Sequence, residues 1–161
     1  MRKALIPGSF DPITLGHLDL ICRAERMFDE VTVGIFQNPE KESLFTSDER
    51  IELIRLATRN LERVHLIVSD GYTADFAHKG GYAAIVRGYR TQADLVYEQK
   101  MANFNRQRGG IDTLLLQAPE NLSRVSSSAV RERLRLGEDV SALVPPASLK
   151  ALLAFYRAKA H

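Results

Sequence analysis

Pro7-Gly8-Ser9-Phe10-Asp11-Pro12, followed by Thr14-Leu15-Gly16-His17, gathers into one span the groups that hold a phosphate. An apolar run from Lys3 to Ile6 reads as a buried strand. It breaks at Pro7-Gly8 and Asp11-Pro12, and a helical pattern restarts after His17. A strand, a glycine turn and a helix start together bring backbone N–H groups and the positive end of a helix dipole to one place. Ser9 and His17 add a side-chain donor on either side of that place. The same residues also suit an ordinary strand-to-helix turn with a structural histidine.

Three later segments repeat the theme. Lys41 lies in the polar stretch Gln37 to Ser43, where it could swing over a bound phosphate; flanked by Glu40 and Glu42, it also reads as part of a solvated charge run. Arg87-Gly88-Tyr89-Arg90 follows an apolar run and offers two guanidinium forks, which match phosphate oxygens in bidentate fashion. A surface Arg pair bound to Asp94 or Glu98 is the other reading. Ser126-Ser127-Ser128 opens a helix with hydroxyls and free N–H groups. Glu98 and Asn105 share a helix face, placed either to orient a nucleobase or ribose or to bond to a neighbouring helix. The set holds donors and cations and no base–nucleophile pair, which fits phosphoryl or nucleotidyl transfer by positioning and charge neutralisation.

Positioning such groups requires a frame, and the periodicity supplies one. Strands are expected at 31–36, 64–68, 82–86 and 113–117, besides the opening run. Between them fall helices: one with Leu18, Ile21, Cys22, Glu25 and Phe28 on its inner face, and one entered by the capping box Thr46 to Glu49. Ile51, Ile54, Ala57 and Leu61 mark the second helix's inner face, and further helices are expected at 73–78, 93–108, 126–136 and 148–159. Strands alternating with helices, without a hairpin signal, predict an α/β, Rossmann-like five-stranded parallel sheet with helices on both faces, in a single domain over residues 1–161. In such a sheet ligands bind beyond the carboxyl ends of the strands, where the four polar segments converge.

Composition narrows the class. The chain has 161 residues, with apolar and charged fractions of 45% and 26%, as in ordinary globular domains. Its net charge of +2 argues for neither nucleic acid nor a membrane surface as partner. Cys22 is the only cysteine, which excludes an internal disulfide and a cysteine-based zinc site, and it reads as a small core residue. Dinucleotide and phosphate-loop glycine fingerprints are absent. His65, His78 and the terminal His161 read as bystanders. No secretory signal or membrane-length run is visible, so a cytoplasmic location is expected.

Taken as motifs, these segments resemble the bacterial phosphopantetheine adenylyltransferases of the nucleotidyltransferase superfamily. The likeness rests on Pro7 to Pro12 with the Thr-x-Gly-His of Thr14 to His17, and on Arg87 to Arg90 with Asp94-Leu95-Val96-Tyr97-Glu98. Asn105-Arg106 and Val125-Ser126-Ser127-Ser128-Ala129-Val130-Arg131 extend it. The resemblance implies transfer of AMP from ATP to 4'-phosphopantetheine, giving dephospho-coenzyme A and pyrophosphate. Attack is direct and in line, with Mg2+ arriving on the ATP phosphates.

By family position, His17, Lys41 and Arg90 are catalytic, and Ser9, Lys41, Thr73 and Arg87 bind the acceptor. Ser9, Phe10, His17, Gly88, Tyr89, Arg90 and Glu98 contact ATP, as do Leu122, Ser123, Arg124, Val125, Ser126, Ser127 and Ser128. The resemblance further implies a homohexamer and coenzyme A as feedback inhibitor. Ile6, Thr73, Leu122 and Arg124 depart from the family pattern. The competing readings are a cytidylyltransferase or other nucleotidyltransferase with another phosphorylated acceptor, and a catalytically silent nucleotide-binding module.

Overall fold

A computed structural model describes residues 1–37 and 40–159; Asn38 and Pro39 of the polar stretch Gln37 to Ser43, and the terminal His161, lie outside the described residues. Among the described residues the strands are β1 (Lys3–Gly8), β2 (Glu30–Phe36), β3 (Val64–Ser69), β4 (Ala84–Tyr89) and β5 (Thr113–Gln117). They form one parallel sheet in the order β3-β2-β1-β4-β5. The helices are α1 (Leu15–Met27), α2 (Ser47–Thr58), α3 (Thr73–Lys79), α4 (Gln92–Gly109), α5 (Ser127–Leu136) and α6 (Pro146–Ala158), with a 3-10 turn at Glu120–Leu122. None is long and apolar enough to cross a membrane.

Side chains alternate across a strand, so one β1 strand feeds two cores. Ala4 and Ile6 join Val31, Val33 and Ile35 of β2 under Ile21, Ile54, Val130 and Leu152, from α1, α2, α5 and α6. Leu5 faces the other way, with Ile85, Ala74, Ala77 and Ile111. Helices therefore cover both faces, and the central strands read as unbroken apolar runs for that reason. On the second face α3 and α4 meet closely: a Cβ on Gly109 would lie 2.6 Å from the Ala74 carbonyl oxygen, so only glycine fits there.

Two details differ from expectation. β4 runs to Tyr89, so Arg87, Gly88 and Tyr89 stay in the strand, paired with Leu115, Leu116 and Gln117. Their polarity hid this, because a tertiary partner and not propensity extends the strand. In α1 the buried residues are Leu20, Ile21 and Ala24, with Leu18, Cys22, Glu25 and Phe28 only partly covered. The sheet meets that helix on a face rotated from the one its apolar spacing suggested.

The chain leaves β1 toward β2 on one side and returns to β4 on the other, which makes the β1/β4 boundary the switch point of the sheet. β1 pairs with β2 as far as Gly8–Ile35, yet with β4 only through Ala4–Ala84 and Leu5–Ile85. Beyond Leu5 the two strands part, and the gap opens toward their carboxyl ends.

Candidate active site

Thr14 is the N-cap of α1 and His17 its third residue, the spacing of a capping box. The Thr14 hydroxyl accepts from the His17 backbone N–H at 3.3 Å, and His17 Nδ1 accepts from the Thr14 backbone N–H at 3.0 Å. An Nδ1 that accepts from a backbone amide carries no proton, so the ring proton sits on Nε2. Phe10, at φ 47, folds back so that its ring lies 4.8 Å from the imidazole. Burial first, then the Arg87 and Arg90 charges, lower the His17 pKa from 6.5 to about 4. Near neutral pH, His17 is an uncharged hydrogen-bond donor with a fixed tautomer.

Arg87 bridges the gap between β1 and β4. Its Nη1 donates to the Pro7 carbonyl at 2.6 Å, and its Nε and Nη2 donate to the two Glu98 carboxylate oxygens at 3.0 and 2.7 Å. Burial works against this charge, but the Glu98 carboxylate more than offsets it, and the Arg87 pKa lies above the ordinary value. Arg90 donates to the Ser123 carbonyl at 3.1 Å and lies 3.8 Å from the Asp94 carboxylate. Both carboxylates raised from the sequence as alternative partners are thus engaged, while both arginines still line the crevice.

Two cavities open there. The first, of about 310 Å³, is lined by Ser9, Phe10, His17, Lys41, Gly88, Tyr89, Arg90, Val125, Ser126, Ser127 and Ser128 among others. The second, of about 880 Å³, is lined by Tyr72, Thr73, Tyr97, Glu98, Met101, Phe104 and Asn105 among others. Pro7, Gly8, Ser9 and Arg87 line both, so the opening turn and the Arg87 fork stand where the cavities meet. His17 and Arg87 therefore share one site. Leu122, Ser123 and Arg124 fall outside both linings, with Ser123 reaching the site only through its carbonyl bond to Arg90. His65 sits 4.0 Å from Glu30 at the sheet edge, and His78 lines neither cavity.

Ser127 and Arg131 stand in the segments that the sequence singles out, but the bonds they make do not show there, and Arg50 carries no signal at all. Arg131 Nη1 donates to the Asp11 carbonyl at 2.7 Å, and the Ser127 hydroxyl donates to the Pro12 carbonyl at 2.8 Å, tying α5 to the first turn. Arg50, buried, donates to the Ser9 and Phe45 carbonyls. Apart from Phe45, five residues from Arg50, these partners lie 41 to 120 residues away and leave no local signal. The Thr14–His17 pair did carry one, since Thr-x-x-His shares the capping-box spacing recognised at Thr46–Glu49. Among the described residues no group of three or more His, Cys, Asp or Glu side chains is placed to hold a metal.

A family model described as "Cytidylyltransferase-like" matches residues 5–133. The chain is 46% identical to the phosphopantetheine adenylyltransferase of Symbiobacterium thermophilum over 153 residues, covering 94% of each chain. It is 47% identical to that of Frankia casuarinae over 156 residues, 94% of this chain and 96% of the relative. Against the phosphopantetheine adenylyltransferase of Corynebacterium diphtheriae the identity is 44% over 154 residues, 95% and 97% of the two chains.

Proposed function

The chain belongs to the cytidylyltransferase-like family, among relatives that are phosphopantetheine adenylyltransferases, and from that premise we propose that it transfers AMP from ATP to 4'-phosphopantetheine. The observation that carries the reading is the meeting of two cavities at Ser9 and Arg87. Two anionic substrates need separate pockets with one shared cationic, donor-rich boundary. ATP occupies the smaller cavity, with its phosphates at the amino ends of α1 and α5, where helix dipoles favour anions. The acceptor arm lies in the larger cavity along Tyr72, Thr73 and Met101. Its phosphate is held at the junction by Ser9 and Arg87, with Lys41 reaching it from the wall of the smaller cavity.

An oxygen of the acceptor phosphate attacks the α-phosphorus of ATP. The bond from that phosphorus to the oxygen bridging the β-phosphate breaks, and pyrophosphate leaves. His17 donates through Nε2–H to the oxygens that gain charge, and Arg90 neutralises the departing phosphates. Because His17 is uncharged, it contributes a directed hydrogen bond and needs no reorganisation as charge develops. Glu98, expected against ATP, lines the larger cavity instead and acts on the acceptor phosphate through the Arg87 fork that it holds. Mg2+ enters as part of the MgATP substrate: the Asp11 carboxylate in the cavity wall already accepts two backbone N–H bonds.

Coenzyme A contains both the acceptor arm and an adenylate, so it competes for the same pair of cavities as a feedback inhibitor. A homohexamer and a cytoplasmic location complete the proposal for this one-domain enzyme, with exposed Val96 on α4, outside both cavities, as a candidate subunit contact. Pyrophosphate release decides the main question. Turnover is expected with ATP and 4'-phosphopantetheine, not with CTP and not with unphosphorylated pantetheine. Preference for CTP, or ATP binding without release for any phosphorylated acceptor, refutes the reading.

A further inference from the structure

Asp11 lies in the first turn but spends both carboxylate oxygens on a different segment. Oδ2 accepts from the Leu44 N–H at 2.8 Å and Oδ1 from the Phe45 N–H at 2.9 Å. Its side chain is only 7% exposed. Arg50 ties the same two segments a second time, donating from Nη1 to the Ser9 carbonyl at 2.9 Å and from Nε to the Phe45 carbonyl at 3.0 Å. Leu44 lies three residues beyond Lys41. Lys41 reaches the phosphate cavity, yet among the described residues its side chain makes no hydrogen bond or ion pair.

We propose that Asp11 is a positioning residue for the acceptor phosphate: by clamping the Leu44 and Phe45 amides it fixes the loop from which Lys41 enters the first cavity, beside the Ser9 and Arg87 boundary. The inference rests on the acceptor site proposed above and assigns no contact between Asp11 and substrate. Charge-assisted bonds from consecutive amides to a buried carboxylate are strong and directional. Without them the entropy of ordering a loop end falls on substrate binding, because Lys41 would have to be placed anew at each encounter. A clamp acting through Lys41 raises the KM for the acceptor and spares that for ATP, and it loses its effect once Lys41 is gone. A merely structural Asp11 would weaken both substrates and add independently to a Lys41 substitution.

The test uses the full chain with MgATP and 4'-phosphopantetheine, comparing wild type, Asp11→Asn, Lys41→Ala and the double variant. Asn keeps one carbonyl acceptor in the same shape and replaces the other with a donor that opposes an N–H. Asp11→Asn is expected to raise the acceptor KM about tenfold and to accelerate hydrogen exchange at the Leu44 and Phe45 amides. In the Lys41→Ala background the same substitution is expected to change that KM by less than about twofold. Arg50→Lys, which cuts the second strap and leaves Asp11 in place, is expected to give the same acceptor-specific rise. Equal factors in both backgrounds, an equal rise in the ATP KM, or unchanged exchange at the two amides overturns the inference. Accelerated exchange in a protein whose wild type never uses 4'-phosphopantetheine overturns the functional reading instead.

Discussion

Acidification probes the imidazole at the centre of the site. His17 titrates near 6.5 when unfolded and at about 4 in the folded chain, because burial and then Arg87 and Arg90 disfavour its cation. Between those values the unfolded chain binds more protons than the native one, so stability rises with pH. The contribution is complete above pH 6.5, is lost progressively as the pH falls from 6.5 toward 4, and is gone below. At about 1.4 kcal/mol per pKa unit the loss amounts to roughly 3 kcal/mol. His17→Gln is the reference, since glutamine at the third helical position closes a capping box as the imidazole does here, without titrating. Urea midpoints from pH 7.5 to 4 for both proteins isolate the His17 share, because the carboxylates titrate in each. Wild type is expected to lose about 3 kcal/mol more than the variant over that range. Parallel curves, or a ring titrating near 6.5 by NMR in the free protein, would refute the argument that burial and the two arginines depress the His17 pKa.

Other perturbations read other parts of the site. Replacing the whole imidazole by His17→Ala is expected to lower kcat about 10²-fold or more with ATP affinity nearly unchanged, checked by turnover and equilibrium nucleotide binding. Glu98→Ala removes both carboxylate bonds from Arg87 and should cost about 2 kcal/mol, less than for a fully buried pair because the Arg87 side chain is 33% exposed. The accompanying readout is a raised acceptor KM. In Gly8→Ala the new Cβ would lie 2.9 Å from the Phe10 ring, which packs on His17. Denaturant unfolding should show a loss of about 1–3 kcal/mol, with kcat falling as the ring shifts. Ser126→Ala deletes the cap on the Ala129 N–H and should destabilise the chain by about 1 kcal/mol in thermal melts.

Much of the fold and the site is written in local signals along the chain. Hydrophobic period, turn residues and caps depend on neighbours a few positions away. They placed β5 at 113–117, the Thr46 cap of α2, and the end of α5 at Gly137 as observed. The same locality brought out Ser9, His17, Lys41, Arg87, Arg90 and Ser126 to Ser128 as candidates, since donors and cations after strands stand out against an apolar background. Three-dimensional packing decided the rest. The hydrogen bonds from Arg87 to Glu98 and Pro7, and from the Leu44 and Phe45 amides to Asp11, join segments whose spacing in the chain carries no regularity. The charge state of His17 is likewise a property of the folded site, where burial and two arginines outweigh the intrinsic basicity of the ring.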